Sequence, residues 1–131
     1  MSLHEGNILL DHVLIYDNMG EYGSAISLGE PLGLVIGNIN MTILQSTITE
    51  NQGGFSFGLI DNSSVIIANS ILWNEESETE FTSLPNNSLI NADSYYSDIR
   101  FLDGFEVTQS ISLDPLFTDT DNYDFNLTEN S

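Results

Sequence analysis

The chain has 131 residues, of which 40% are hydrophobic. The length suits one compact domain, residues 1–131, and the hydrophobic content excludes a chain that is disordered throughout. Twenty Asp and Glu stand against a single basic residue, Arg100, giving a formal net charge of −19. Because phosphate contacts need cations, this balance excludes nucleic acid and anionic membrane surfaces as partners. The lack of cysteine excludes disulfides and thiolate metal sites.

The residue types favour strands over helices, because Ile, Leu, Ser, Thr and Asn are abundant and lysine is absent. In chain order, short apolar runs predict strands at Ile8 to Tyr16, Ser24 to Leu28, Leu34 to Ile36, Met41 to Thr49, Phe55 to Ile60 and Val65 to Trp73. Residues 29–33 and 74–87 are predicted to form outward loops. No run reaches the roughly twenty apolar residues of a membrane span, since Asp11 and His12 interrupt the best candidate.

The strand segments repeat. Residues 8–18, 41–51 and 65–75 superpose without gaps, at offsets of 33 and 24 residues. One column then holds Leu10, Ile43 and Ile67, and a second holds Ile15, Ile48 and Leu72, which Ile99 extends 27 residues further on. Like residues in columns are typical of coils that stack and bury equivalent side chains. The pattern predicts an all-β parallel β-helix of about four to five coils with few or no helices, its strands ~4.8 Å apart.

Asparagine ends the first two repeats, at Asn18 and Asn51. At a tight bend an Asn can take the left-handed conformation and bond its amide to the Asn one coil away. In the third repeat, the superposition without gaps places Glu75 in this column.

The C-terminal motifs resemble a known family. The segments Asn69 to Asn74, Tyr95 to Ile99, Ile111 to Phe117 and Tyr123 to Leu127 resemble, in this order, the closing coils of bacterial right-handed parallel β-helix repeat proteins of pectin-lyase-like fold. Gly23 to Ile26, with the ends of the first two repeats, is similar to the short repeats of polymorphic outer-membrane and adhesin-like proteins. The resemblance covers about residues 8–128 and departs from the family at Glu75, where an Asn is usual, and at Ser131, where relatives continue.

The resemblance implies a right-handed coil and a secreted or cell-surface protein. It implies a non-catalytic scaffold that serves in adhesion or carbohydrate contact, of which the chain is a C-terminal piece with residues 1–7 as a leader. Enzymes on this fold are mostly polysaccharide lyases and hydrolases, so the alternative is the terminal part of such an enzyme, with its active site upstream.

No catalytic residue and no certain cofactor follows from the sequence. A lyase would have to draw on His4, His12 and Arg100, a thin set for a base and a cation. His12 shares a column with Gln45 and Asn69 and is interpreted as an outward strand residue. Arg100 is interpreted as the partner of a nearby acid, Asp98 or Asp103.

Two groups of side chains are candidate binding sites. Asp119, Asp121 and Asp124 offer hard oxygens on one loop, which suits Ca²⁺, although the spacing favours Asp119 and Asp121 as Asx-turn residues between strands. Trp73, Tyr95, Tyr96 and Tyr123 could form a platform on which sugars stack, unless Trp73 packs over an adjacent coil.

A stack of coils also exposes strand edges at its ends. The first coil, which begins near Ile8, would expose unpaired backbone groups and an apolar cross-section. We therefore expect a homodimer through this N-terminal coil, opposed by the repulsion between two chains of charge −19.

Overall fold

The computed structural model describes residues 2–3, 6–20, 24–28, 39–52, 57–59, 64–75, 82–83, 91–100 and 106–131. These ranges contain fifteen strands and one short 3-10 turn, Thr120–Asn122. The strands are β1 (Ser2–Leu3), β2 (Gly6–Asp11), β3 (Leu14–Tyr16), β4 (Ile26–Leu28), β5 (Ile39–Leu44), β6 (Thr47–Thr49), β7 (Phe57–Leu59), β8 (Ser64–Ala68), β9 (Ile71–Trp73), β10 (Thr82–Ser83), β11 (Asn91–Tyr95), β12 (Asp98–Ile99), β13 (Glu106–Thr108), β14 (Phe117–Asp119) and β15 (Asp124–Leu127).

Strands β1 to β13 form three parallel sheets that the chain visits in turn. Sheet 1 has the order β1-β4-β7-β10, sheet 2 the order β13-β11-β8-β5-β2, and sheet 3 the order β12-β9-β6-β3. One pass through the sheets is a coil; β1 to β3 form coil I, and β13 with the bridge from Ile111 to Asp98 forms coil V. The predicted all-β fold of stacked parallel strands is therefore confirmed as a solenoid-like arrangement. Strand β10 lies inside the stretch 74–87 that was predicted to loop outward, and residues 29–33 lie outside the described ranges.

The register of the strands matches the predicted repeat. Residues of β2 pair with residues 33 positions later in β5, as in Leu10 with Ile43, and β5 pairs with β8 at an offset of 24. In sheet 3 the pairs run from Ile15 through Ile48 and Leu72 to Ile99. Both predicted columns are thus confirmed, because stacking aligns the coils by their equivalent apolar side chains.

The core lies between the three sheets. Its fully buried members are Met41, Ile43, Ile48, Val65, Ile67, Leu72 and Ile99, joined by Ile26 from sheet 1. In coil I the corresponding residues Ile8, Leu10 and Ile15 are only half-buried, because coil I has a neighbour on one side alone.

A column of serines turns the chain from sheet 2 into sheet 3. At this corner His12, Gln45, Asn69, Tyr96 and Gln109 all adopt left-handed backbone angles, with φ between 47° and 54°. The next residue in coils II to V is Ser46, Ser70, Ser97 or Ser110, and each hydroxyl accepts a bond of 3.1 to 3.2 Å from the backbone N–H one coil earlier. Each also donates to the carbonyl two residues before it. This serine ladder pairs backbone groups that the corner removes from the sheets.

A second ladder, of asparagines, lies after sheet 3. Asn18 donates from its backbone N–H and its amide to Oδ1 of Asn51, and Asn51 donates in the same way to Asn74. The predicted amide bonds between coils are therefore confirmed, but the predicted left-handed conformation of Asn18 and Asn51 is wrong, because the residue before each of them adopts it. The placement of Glu75 in this column is wrong: in coils I and II a left-handed residue, Asp17 or Glu50, precedes the Asn, and the third turn is one residue shorter.

The C-terminal residues 114–131, here called the strap, leave the stack and run back along the outer face of sheet 3. Strands β14 and β15 form an antiparallel pair with an irregular register between Phe117 and Asp119. At the far end, the ring of Tyr16 on β3 lies 5.1 Å from the rings of both Tyr123 and Phe125. Because Tyr16 belongs to coil I, the strap spans sheet 3 from its last strand to its first.

Candidate functional site

The strap and sheet 3 enclose a cleft of about 790 Å³, here called the strap cleft. Its floor includes Ile71 on β9 and Asp98 on β12, and its wall includes Leu113, Asp114 and Leu127. Tyr96 borders it from the serine corner. The strap cleft exists because the strap crosses the sheet with its own hairpin rather than adding a strand to it.

Two carboxylates lie in the strap cleft among aliphatic side chains. Oδ1 of Asp98 accepts a bond of 3.1 Å from the N–H of Leu113, and Oδ1 of Asp114 accepts one of 2.9 Å from the N–H of Leu116. Burial raises the pKa of Asp98 above its ordinary value; the bond from Leu113 lowers it, and the negative charge of Asp114 raises it again. The fold therefore holds Asp98 where its charge is poorly solvated.

A smaller cleft of about 410 Å³ lies beside the first and shares Asp114 and Leu116 with it. It is polar, with Glu50, Glu75 and Asp121 among its lining residues, and Trp73 lies at its base. Nε1 of Trp73 is buried and has no hydrogen-bond partner within the described ranges. Trp73 thus lies where sheet 3 meets the strap, beside Leu116 and Phe117.

The three predicted calcium ligands all belong to the strap hairpin. Asp119 and Asp124 lie opposite each other in the β14–β15 pair, and Asp121 lies in the 3-10 turn between them. Asp119 accepts a bond of 2.8 Å from the amide of Asn122, and Asp124 accepts bonds from Asn126. In the part of the chain that the structure describes, no three acidic or histidine side chains are grouped to hold a metal ion. Calcium binding by these three aspartates stays a prediction, checked by calorimetric titration with Ca²⁺ against Mg²⁺.

The two basic candidates that the structure describes, His12 and Arg100, have different hydrogen-bond partners and share none. His12 is exposed and lies at a left-handed corner rather than within a strand, which corrects its interpretation, and its ring bonds to the adjacent Asp11 at 2.6 Å. Arg100 donates from Nη1 to the carbonyls of Asn74 and Glu75, at the end of the asparagine ladder, and Asp98 instead accepts from Leu113. His4 and Asp103 lie outside the described ranges.

The aromatic candidates are also dispersed. Tyr95 lies on the outer face of sheet 2, whereas Tyr96 is at the corner and Trp73 lies beneath the strap. Tyr123 packs on Tyr16, and its hydroxyl reaches Asp17 at 3.5 Å. The structure therefore does not bring the four residues into one platform.

Comparison with known proteins found no relative of this chain. No family model matches the chain, and neither a curated protein nor a solved structure is detectably similar to it. Within the described ranges, no helix has the length and apolar character needed to cross a membrane.

Side chains on the outer face of sheet 2 are also accessible to solvent. One row along it consists of Asn7, Asn40 and Ser64, joined by side-chain hydrogen bonds of 3.1 and 2.6 Å. The next row begins with Leu9, Thr42 and Ile66, of which Leu9 and Ile66 are exposed. These rows could be predicted from the repeat, because outward residues share the register of the inward ones. The proximity of Asp98 and Asp114 could not be predicted in this way, because Asp114 lies outside the repeat.

Proposed function

We propose that the chain is a non-catalytic scaffold of a secreted or cell-surface protein, built as a right-handed parallel β-helix, which acts in adhesion by contacting carbohydrate. The parallel order of the strands supports the coil. The right-handed sense is supported by the rule that about 98% of parallel crossover connections are right-handed. Secretion is supported by the resemblance of the C-terminal motifs to bacterial β-helix repeat proteins, and adhesion by the resemblance of Gly23 to Ile26, with the ends of the first two repeats, to adhesin-like proteins.

The observation that carries the proposal is the pattern of side chains on the outer face of sheet 2. Its rows alternate in chemistry across the strands: hydrogen-bonded amides and a hydroxyl lie beside exposed Leu9 and Ile66, and Tyr95 is exposed in a third row. A pyranose ring likewise presents apolar C–H groups beside hydroxyls, and recognition of such ligands combines apolar contact with a few placed polar groups.

The negative charge of this face favours a neutral carbohydrate over an anionic one. Asp11, Asp93 and Glu106 face outward from the same sheet, and the whole chain has one basic residue. An anionic polysaccharide such as a polyuronate would be repelled by this surface, because no cation on it would pair with each sugar carboxylate.

Affinity gel electrophoresis through neutral polysaccharides, such as xyloglucan or galactomannan, tests the proposal. We expect the chain to be retarded by at least one of them, and the retardation to fall about tenfold in Tyr95→Ala, since an aromatic contact is a large part of such an interface. Tyr96→Ala is the matched control, because Tyr96 is the more exposed of the two neighbours and lies off the face.

Three outcomes contradict the proposal. The chain could migrate freely in every polysaccharide, or the two tyrosine variants could lose retardation equally. Release of new reducing ends from any of the polysaccharides would show that the scaffold is not merely a binder.

A further inference from the structure

The strap cleft gathers exposed apolar side chains that belong to different elements. Ile111, Leu113, Leu116 and Leu127 all line it, and each remains between 40% and 64% exposed. Single exposed aliphatic residues are common, but four around one cavity form an apolar patch, and such patches mark binding sites for ligands or partners. A volume of about 790 Å³ falls in the range of small-molecule pockets, roughly 300 to 1,000 Å³.

The same cleft carries negative charge that the fold has positioned. Backbone N–H groups of Leu113 and Leu116 hold one oxygen of Asp98 and one of Asp114, and within the described ranges the second oxygen of each carboxylate has no hydrogen-bond partner. Partial burial leaves the charge of Asp98 poorly solvated, so an arriving cation would gain more from it than from a carboxylate in open water, and the exposed Asp114 adds a second negative charge nearby. The net charge of −19 also concentrates cations around the molecule.

We infer that the strap cleft binds a small organic cation with an apolar body, such as an alkylammonium or arylalkylammonium ion. The ammonium group lies at the carboxylate of Asp98, with Asp114 adding attraction, and the apolar body lies against Leu113 and Leu127. A bare divalent metal does not suit the site, because Ca²⁺ takes six to eight oxygen ligands and two carboxylates in an aliphatic wall offer too few. This site is on sheet 3 and is independent of the carbohydrate face proposed on sheet 2.

Titration of the whole chain with three probes of one shape tests the inference: n-hexylammonium, n-hexanol and n-hexanoate, followed by NMR of methyl groups. We expect saturable shifts at Ile111, Leu113 and Leu127 with hexylammonium, and affinity at least about tenfold weaker for hexanol, because one charged hydrogen bond is lost. Hexanoate should not bind, because its carboxylate has the same negative charge as Asp98 and is repelled by it.

Two variants and one control locate the charge that matters. Asp98→Asn should weaken hexylammonium at least about tenfold while hexanol binds as before, and Asp114→Asn should weaken it less. Glu106→Gln, which removes one exposed negative charge on sheet 2, should leave the affinity unchanged. Asp114→Asn also serves as the test if Asp98→Asn fails to fold.

The inference is wrong if hexanol binds as tightly as hexylammonium, or if Glu106→Gln weakens binding as much as Asp98→Asn. The first result would show an apolar crevice without cation recognition. The second would show attraction by the net charge alone, and so would shifts spread over the surface rather than confined to the strap cleft.

Discussion

At the scale of single residues, the serine corner explains how four left-handed residues, none of them glycine, are tolerated, because a serine follows each of them in coils II to V. A non-glycine residue in this conformation costs roughly 1 kcal/mol or more. The following serine offsets the cost, because its hydroxyl accepts a bond from the neighbouring coil and donates to its own coil. Serine thus occupies this position in coils II to V, whereas Val13 occupies it in coil I and donates its N–H to the hydroxyl of Ser46.

Ser70→Ala tests this explanation. Ser70 is buried, and its hydroxyl accepts from the N–H of Ser46 at 3.1 Å and donates to the carbonyl of Ala68 at 2.9 Å. Removing the hydroxyl leaves a buried N–H unpaired, so we expect the free energy of unfolding to fall by about 1–3 kcal/mol in urea denaturation. Ser131→Ala removes an exposed hydroxyl that makes one local bond and should change stability little. Equal effects in the two variants would contradict a special role for the ladder.

Asp98 gives a pH dependence whose sign follows from its surroundings. Burial and Asp114 raise its pKa in the folded chain above the ordinary 3.8, so folding penalises the charged form. The cost is fully present above the folded pKa, decreases as pH falls through it, and is gone below the unfolded value. Asp98→Asn should therefore be more stable than the natural chain at neutral pH, and this advantage should disappear in acid.

Thermal melts of Asp98→Asn between neutral pH and pH 3 measure this effect. Glu106→Gln is the control, because Glu106 is exposed on β13. Its change in melting temperature measures the stability gained by removing any one negative charge. The interpretation fails if the two variants have the same advantage at every pH.

At the scale of elements, the strap forms its own two-stranded sheet and, within the described residues, pairs with no strand of the stack, so we expect it to move independently. The rings of Tyr123 and Phe125 both pack on Tyr16, and the ring of Phe117 packs on Phe125, so these pairs hold the far end of the strap. An aromatic pair contributes about 0.5–1.5 kcal/mol beyond its buried area.

Phe125→Ala removes the ring that contacts both Tyr16 and Phe117, and we expect it to release the strap without unfolding the coils. Amide hydrogen exchange should accelerate in β14 and β15 while β5 and β8 keep their protection, because local opening depends on local contacts. Phe117→Ala, which removes a ring that does not reach Tyr16, should give the smaller acceleration. Uniform acceleration throughout the chain would show instead that the strap is part of the cooperative core.

These elements also show what the sequence could reveal. Columns such as Leu10 with Ile43 and Ile67 were predictable, because stacking demands like residues at a fixed offset and leaves that offset visible. The place of Asn74 was missed, since a single residue fewer in one turn breaks an alignment without gaps. The strap and its cleft were missed because Tyr16 and Tyr123 meet across more than a hundred residues, with no repeat to connect them.

At the scale of the whole molecule, the two ends of the stack differ from its middle. Strands β1, β2 and β3 each form the edge of a sheet, so their outer N–H and C=O groups lack a neighbouring strand among the described residues. The apolar side chains of this coil remain half-buried, although their equivalents in coils II and III are inaccessible to solvent. An edge of this kind favours pairing with another strand.

We therefore expect the chain to form a two-fold dimer in which the coil I edges pair, with Ile8 and its neighbours covered by the second copy. The charge of −19 on each chain opposes this contact, and salt screens it with a Debye length of about 10 Å at 0.1 M and about 3 Å at 1 M. Association measured by sedimentation should therefore tighten as salt is added, opposite to the behaviour of a contact held by ion pairs. Ile8→Glu places a charge at the edge of coil I, so this variant should be a monomer with an unchanged circular dichroism spectrum. The control is Leu113→Glu, because Leu113 is an exposed aliphatic residue beyond coil V, and this variant should still dimerise. A chain that sediments as a monomer at low and high salt alike would show that the coil I edge is stable without a partner.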